Sequence, residues 1–249
     1  YFENTSINNI CGSVLMKQDV DLNILNKAIN VFVENNDSFK LRFHQNGANL
    51  LQYFTKDEEI NFERLDIKEE NEIEIFAKKI VAIKFNLFDS RVFDFKLFKL
   101  SSGFGGFIVN VHHIISDAAT LSFVGTEIVE IYSKLLKNEI IPKKNYSYID
   151  YINFEKDYIN SPKFEKDKAY WNENLLPLPE VASVPSISQN NKVNDFKANR
   201  IEYIFDNILI SKIKDFCTKN NISVFNFLMG IYSIYFGRIN NMENFLVGT

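Results

Sequence analysis

The segment "VHHIISDAAT", residues 111–120, combines residue types that could carry out acid–base chemistry. It holds two of the three histidines of the chain, His112 and His113, and Asp117 follows after three further residues. A neutral imidazole can take up a proton near neutral pH, and a nearby carboxylate can orient the imidazole or the turn that carries it. The segment is therefore consistent with a catalytic imidazole held by a turn, or with histidines that are only structural.

The predicted secondary structure gives the two histidines different surroundings. We predict that "FGGFIVNVHH" is a strand, in which alternate side chains point to opposite faces. His113 then shares an apolar face with Val109 and Val111, while His112 shares the other face with Asn110. Because the two rings point apart and no neighbouring side chain completes a ligand set, the pattern argues against a metal site. Loss of hydration on the apolar face would favour a neutral His113 ring.

Asp117 lies where the predicted strand gives way to a helix. Its simplest role is that of an N-cap, whose carboxylate accepts hydrogen bonds from backbone N–H groups at the positive end of the helix. The alternative is a carboxylate that lies beside the imidazole and fixes the geometry of the turn. The HxxxD spacing does not decide between them.

The composition excludes several classes of protein. The chain has 249 residues, 46% of them hydrophobic, and a formal net charge of −4. No basic stripe emerges, so we predict no nucleic-acid partner. No apolar run approaches the roughly 20 residues of a membrane span, and the first residues do not resemble a signal peptide. Cys11 and Cys217 are isolated, which favours a reducing compartment, and we predict a cytoplasmic protein that does not bind membranes.

Hydrophobic periodicity predicts alternating strands and helices. A strand at "INNICGSVLMK" precedes a helix that begins after Asp19 or Asp21, and "SFKLRF" and "NLLQYF" form a hairpin. A second helix covers "EENEIEIFAKKIVAIKF", two strands flank "SSG", and a long helix follows the histidines. Residues 145–175 are helical, and a proline-containing polar tract then separates them from a strand "NRIEYIF", two helices and a strand "ENFLVGT".

Several segments resemble, in their order, the motifs of nonribosomal peptide synthetase condensation domains. "HHIISDA" resembles HHxxxDG, "YIDYINF" resembles YxDYxxW, and "NDSFKLRF" resembles RHExLRTxF. "KAYWNENL" is similar to the stretch that closes the first lobe, and "SVFNFLMGIYSIYFGRINNMENFLVGT" to the helix that leads into the VGTPxxxR strand. The resemblance covers nearly the whole chain.

The resemblance implies an α+β fold, a mixed-sheet sandwich like one lobe of chloramphenicol acetyltransferase, with the start of a second similar lobe. Residues 1–176 correspond to the N-terminal lobe, 177–198 to a linker, and 199–249 to the incomplete beginning of the C-terminal lobe. In the family, the active site lies in a tunnel between two lobes. We therefore expect the 249-residue piece alone to form no amide.

The implied reaction is amide formation between a donor acyl or peptidyl thioester and the amine of an acceptor aminoacyl thioester. Both are carried on the phosphopantetheine arms of peptidyl carrier proteins, with an adenylation domain in the same or a neighbouring chain. His113 corresponds to the catalytic histidine, His112 to a supporting residue and Asp117 to the structural aspartate. The domain itself is expected to need no metal, nucleotide or other cofactor.

Two departures from the family motifs bear on the candidate site. Ala118 replaces the usual glycine, so its methyl group crowds the thioester only if the turn requires a positive φ. Lys40 stands where the family has an arginine that pairs with the motif aspartate, and lysine lacks the fork geometry of arginine. Arg42, expected on the same strand face, is the alternative partner of Asp117; a solvated surface position is the other interpretation of Lys40.

Three other functions remain compatible with the sequence. The HHxxxD motif is shared by stand-alone or coenzyme A-dependent acyltransferases and by epimerisation domains. The departures at Ala118 and Lys40 also fit a catalytically inactive docking module.

Overall fold

The computed structural model describes residues 5–56, 59–143, 147–179 and 201–247, and the chain divides into two compact units, Tyr1–Asp157 and Tyr158–Thr249. The strands of the described residues are β1 (Asn9–Asp19), β2 (Leu41–Asn46), β3 (Asn49–Phe54), β4 (Arg64–Leu65), β5 (Phe93–Lys99) and β6 (Phe104–His112). The helices are α1 (Leu22–Asn35), α2 (Asp37–Lys40), α3 (Glu72–Val81), α4 (Ala118–Leu136), α5 (Tyr148–Ile159), α6 (Pro162–Leu175), α7 (Asn207–Lys219) and α8 (Val224–Asn240).

A mixed sheet organises the first unit. Its strand order within the described residues is β1-β6-β5-β4, antiparallel except for the parallel pair β4 and β5. Helices α1 and α4 pack against each other and contact the sheet, as does α3. This arrangement confirms the predicted α+β class. The lobe boundary at residue 176 stays a prediction, and residues 180–198 of the predicted linker lie outside the described residues.

Alternation along β5 and β6 explains why helices cover both faces of the sheet. Phe95, Phe107 and Val109 point to one face and join the core formed with α1 and α4. Phe98 and Ile108 point to the other face and join a second core with α3. A strand that is buried on both faces reads as a continuous apolar run, as "FIVNV" does with one polar exception.

The close approach of β1 and β6 depends on a glycine. A Cβ atom at Gly106 would lie 1.8 Å from the carbonyl oxygen of Val14 on β1. No other residue type therefore fits at this position without separating the two strands, and β6 is the strand that leads to the histidines.

Local sequence signals explain most of the element boundaries. The side chain of Asp21 accepts hydrogen bonds from the backbone N–H groups of Asn23 and Ile24 and so begins α1. The predicted hairpin is confirmed as β2 and β3, which turn at Gly47 with a φ of +60°. Its first strand begins later than expected, because residues 37–40 form the single helical turn α2.

The described residues of the second unit contain helices and no strand. Helices α7 and α8 begin at the side-chain caps Asp206 and Ser223. The strands predicted at 199–205 and 243–249 are absent from their described parts, 201–205 and 243–247, where no neighbouring strand is available for pairing. No single helix of the described residues is long and apolar enough to cross a membrane. The pair α7 and α8 passes this test only together and is bent by 102° at the break.

Candidate active site

The two histidines lie at the junction between a strand and a helix. β6 ends at His112, a turn covers residues 113–117, and α4 begins at Ala118. Hydrogen bonds fold this turn back onto the end of the strand. The carbonyl oxygen of His112 accepts hydrogen bonds from the backbone N–H of Ile115, at 3.2 Å, and from the Ser116 hydroxyl, at 3.0 Å.

His112 is buried at the end of β6 and makes a hydrogen bond to the turn that follows. The residue is 8% exposed, and its Nδ1 accepts a hydrogen bond of 3.1 Å from the backbone N–H of Ile114. Burial, followed by the positive charge of neighbouring His113, lowers the pKa of the His112 imidazole below its ordinary value. Both effects favour the neutral ring, and only the neutral ring can accept the Ile114 hydrogen bond. His112 therefore acts as a clamp on the turn.

His113 presents its side chain to solvent. Its backbone N–H donates to the carbonyl oxygen of Asn8, at 2.7 Å, while its ring is exposed. The predicted placement of His113 on an apolar strand face, with a desolvated ring, is wrong. The strand ends one residue earlier, so the alternation of faces does not reach His113. An exposed imidazole at the start of a turn can nevertheless reach a substrate that approaches from solvent.

Asp117 is the N-cap of α4. Its Oδ1 accepts hydrogen bonds from the Thr120 backbone N–H, at 2.8 Å, and from the Thr120 hydroxyl, at 2.7 Å, while Thr120 Oγ1 accepts the Asp117 N–H at 3.1 Å. These hydrogen bonds, the Thr120 hydroxyl first, lower the pKa of the Asp117 carboxyl, and the positive charge of His113 adds to the effect. The carboxylate therefore holds the turn and also lies within the electrostatic range of the His113 ring.

The expected ion pair of Asp117 with Lys40 or Arg42 is not formed. Lys40 ends α2, where its Nζ pairs with Asp37 Oδ1 at 2.8 Å and donates to the carbonyl oxygen of Glu34 at 3.0 Å. Arg42 is 3% exposed and donates to carbonyl oxygens of its own segment. The two side chains do not share a strand face as predicted, because α2 ends at Lys40 and only Arg42 belongs to β2.

Ala118 is compatible with the turn. It is the first residue of α4, and its φ is not positive. The glycine of the family motif is therefore not required by the backbone at this position, and the methyl group is exposed.

Two asparagines behind the histidines were not predicted from the sequence. The Nδ2 group of Asn9 donates to the carbonyl oxygens of Val81 and Ile83, at 2.9 and 2.7 Å, and that of Asn110 donates to Ile80 at 3.0 Å. They fasten the end of α3 to the strands that carry the histidine turn. The lone polar residue in "FIVNV" was the available signal for Asn110, and the DxxT spacing was the signal for the capping pair of α4.

Known proteins are similar to this chain along its whole length. The family model for the condensation domain matches residues 1–249. The chain belongs to the condensation-domain family. Surfactin synthase subunit 1 of Bacillus subtilis (strain 168) is 28% identical to it over 100% of the chain, and tyrocidine synthase 3 of Brevibacillus parabrevis is 22% identical over 98%. The chain spans only 7% and 4% of these two relatives. The predicted resemblance is confirmed.

Solved structures support the same fold. VibH, whose crystal structure is described as that of an NRPS condensation enzyme, matches 95% of the chain with a TM-score of 0.74 at 18% identity. SgcC5 from Streptomyces globisporus matches 97% with a TM-score of 0.78 at 12% identity. The chain covers 55% and 56% of these structures. At these identities the likeness concerns the fold alone, and this condensation-domain chain has the fold predicted from its sequence.

Within the described ranges, no three His, Cys, Asp or Glu side chains come together as metal ligands. The candidate site consists of the exposed His113 ring, the buried His112 ring that accepts the Ile114 hydrogen bond, and the N-cap Asp117.

Proposed function

We propose that this chain is part of a nonribosomal peptide synthetase condensation domain, and that His113 is its catalytic residue. The reaction joins the amine of an acceptor aminoacyl thioester to the carbonyl carbon of a donor acyl or peptidyl thioester. The observation that carries the proposal is the exposed His113 ring, which lies on a turn held by hydrogen bonds at both ends. The family model for the condensation domain matches the whole chain.

The exposed imidazole suits this chemistry. As the amine nitrogen attacks the thioester carbonyl, it forms a C–N bond and must lose a proton. His113 either accepts this proton or orients the amine, and the tetrahedral intermediate then expels the donor thiolate, which takes up a proton as the C–S bond breaks. General acid–base action of this kind contributes about 10²–10⁴-fold to a rate. A thioester is already activated, so positioning of the two substrates supplies much of the remainder.

His112 and Asp117 position the catalytic residue. The His112 ring fixes Ile114 at the beginning of the turn, and Asp117 fixes its end through Thr120. His113 lies between these two anchors. A charged His113 formed during the reaction would also be stabilised by the Asp117 carboxylate, whose pKa reflects its interaction with that charge.

The substrates would arrive on carrier proteins. Phosphopantetheine arms of donor and acceptor peptidyl carriers deliver the two thioesters, and an adenylation domain loads the carriers. The domain itself contributes residues and no cofactor of its own, and the assembly operates in the cytoplasm. Ala118 and Lys40 do not oppose activity, because Ala118 fits a regular helix start and Lys40 has a local partner.

The test is formation of a carrier-bound dipeptide by the full natural chain, detected by mass spectrometry with donor and acceptor carriers that have been loaded separately. Amide formation that depends on both carriers supports the proposal. Transfer from an acyl-coenzyme A to a free amine would instead identify a stand-alone acyltransferase. Change of configuration at the donor without an amide would identify an epimerisation domain, and carrier binding without turnover would identify a docking module.

A further inference from the structure

The third histidine of the chain lies outside the candidate active site and has partners of its own. His44 is on β2, and its exposed ring contacts Asp89 in the segment that leads into β5. His44 Nδ1 lies 3.0 Å from Asp89 Oδ1 and 2.9 Å from Oδ2, and Nδ1–H is the donor because an ionised carboxylate can only accept. The hydroxyl of Tyr53, on the paired strand β3, donates to the same Oδ1 at 3.1 Å. Both strands of the hairpin therefore hold one carboxylate.

Backbone contacts join the same hairpin and segment. Phe43 and Phe88 form a parallel β-bridge, and the Asp89 N–H donates to the carbonyl oxygen of Phe43 at 2.8 Å. Asp89 has a φ of +50°, in the left-handed region that residues other than glycine seldom adopt. The other such residues of the described chain lie within two positions of a helix end: Asn138, Asn221 and Asn241. Asp89 has no such helix end, so contacts with the hairpin hold its conformation.

The outer part of the hairpin does not pack on the interior. Residues 44–53 are exposed, and none of them belongs to either hydrophobic core of the described residues. Because a two-stranded hairpin is only marginally stable by itself, its position depends on the contacts with residues 88 and 89. The His44 hydrogen bond is the largest cause that lowers the pKa of the Asp89 carboxyl below its ordinary value, with a smaller contribution from Tyr53.

The segment held by the hairpin reaches the candidate active site. Val92, three residues after Asp89, is buried, and its carbonyl oxygen accepts the backbone N–H of His112 at 2.8 Å. His112 ends β6, and its ring accepts the Ile114 N–H at the beginning of the turn that carries the catalytic residue. A displacement of residues 89–92 would therefore move the backbone acceptor that aligns the end of β6.

We propose that His44 is a positioning residue for amide formation: it holds Asp89, and through Asp89 it holds the segment that aligns the end of β6 beside His113. This inference rests on the proposed function, which makes His113 the catalytic residue. His44 itself does not contact the substrates. Its loss should therefore lower kcat and leave KM unchanged.

Substitutions of His44 can either remove or keep the contact. His44→Ala removes the donor, whereas His44→Asn places an amide N–H₂ group close to the position of Nδ1 and keeps it. Lys99→Ala is the matched control, because Lys99 Nζ pairs with Asp19 Oδ1 at 2.9 Å in a pair that is also exposed. Lys99 lies at the opposite end of β5 from Val92, so a general loss of an exposed contact would affect both alanine variants alike.

The experiment uses the full natural chain and has two arms. In the first arm, hydrogen–deuterium exchange is followed by mass spectrometry in peptides that cover residues 88–92 and 108–114. In the second arm, kcat and KM for amide formation are measured with separately loaded carriers. His44→Ala should raise the exchange rate of both peptides and lower kcat, each about threefold, which is the size expected for an exposed contact. His44→Asn and Lys99→Ala should behave like the wild type in both arms.

The two arms separate the positioning role from the reaction. If the wild type forms no amide but exchange follows the expected order, the proposed function fails and the coupling of His44 to the end of β6 stands. If amide forms and His44→Ala leaves kcat at the wild-type value, the proposal is overturned, whether or not residues 88–92 exchange faster. A loss in His44→Ala that His44→Asn does not restore, or an equal loss in Lys99→Ala, would also overturn it.

Discussion

Replacing each histidine by alanine should separate a loss of stability from a loss of chemistry. In His112→Ala, the Ile114 N–H loses its acceptor, a net loss of about 0.5–1.5 kcal/mol, and the packing of a ring that is 8% exposed is lost as well. Together these effects should lower the free energy of unfolding by about 2–3 kcal/mol. For a unit of this size, such a loss corresponds to a Tm lower by about 4–12 °C.

His113→Ala should have the opposite profile. The ring is exposed and its backbone N–H contact with Asn8 is kept, so the free energy of unfolding should change by less than about 0.5 kcal/mol. The rate of amide formation should fall about 10²–10⁴-fold, which equals about 2.7–5.4 kcal/mol of transition-state stabilisation.

Thermal unfolding followed by circular dichroism and single-turnover assays with loaded carriers measure these two quantities. The single-turnover rate isolates chemistry from product release. The reasoning is refuted if His112→Ala unfolds at the wild-type temperature, or if His113→Ala forms amide within tenfold of the wild-type rate.

Three further predictions concern the elements that hold the turn. The pKa of His112 is lowered in the folded state, so the unfolded state binds the proton more readily. The stability of the wild type should therefore decline relative to that of His112→Ala as the pH falls below about 6.5. If the Tm values of the two proteins changed in parallel with pH, this prediction would be contradicted. Gly106→Ala should lower the free energy of unfolding, measured in urea, by about 3 kcal/mol or more, because its Cβ would lie 1.8 Å from the carbonyl oxygen of Val14. The control Gly230→Ala should be neutral or stabilising, because its Cβ would meet nothing within 4 Å. Asp117→Ala should lower Tm, whereas Asp117→Asn, which keeps an N-cap acceptor, should lower it little; an equal loss in both variants would mean that the charge, and not the cap, holds the turn.

The sequence predicts the elements around the site well where one physical signal dominates. The apolar period of α4 and the capping preference of aspartate placed the helix and Asp117 correctly. The alternation of β5 and β6 and the "SSG" turn between them also appear as predicted. These features are local, so a single stretch of sequence contains the information that determines them.

The features that were predicted wrongly depend on single-residue boundaries or on distant partners. The end of β6 at His112 decides the surroundings of His113, because side chains alternate regularly between the two faces only within the strand. At this end of the strand the Ile114 N–H donates to the His112 ring, a side-chain contact that strand propensity does not predict. Lys40 was misplaced for a similar reason, since the single turn of α2 interrupts the strand predicted there.

The same boundary explains why a chain with so few histidines places two of them side by side. An imidazole that must stay neutral to accept a backbone hydrogen bond belongs inside, and His112 is the last residue that the strand buries. The exposed His113 is the first residue beyond the strand, where under the proposed function its imidazole would meet the substrate amine. The adjacency therefore follows from the position of the strand end, which places two identical side chains in different surroundings one residue apart.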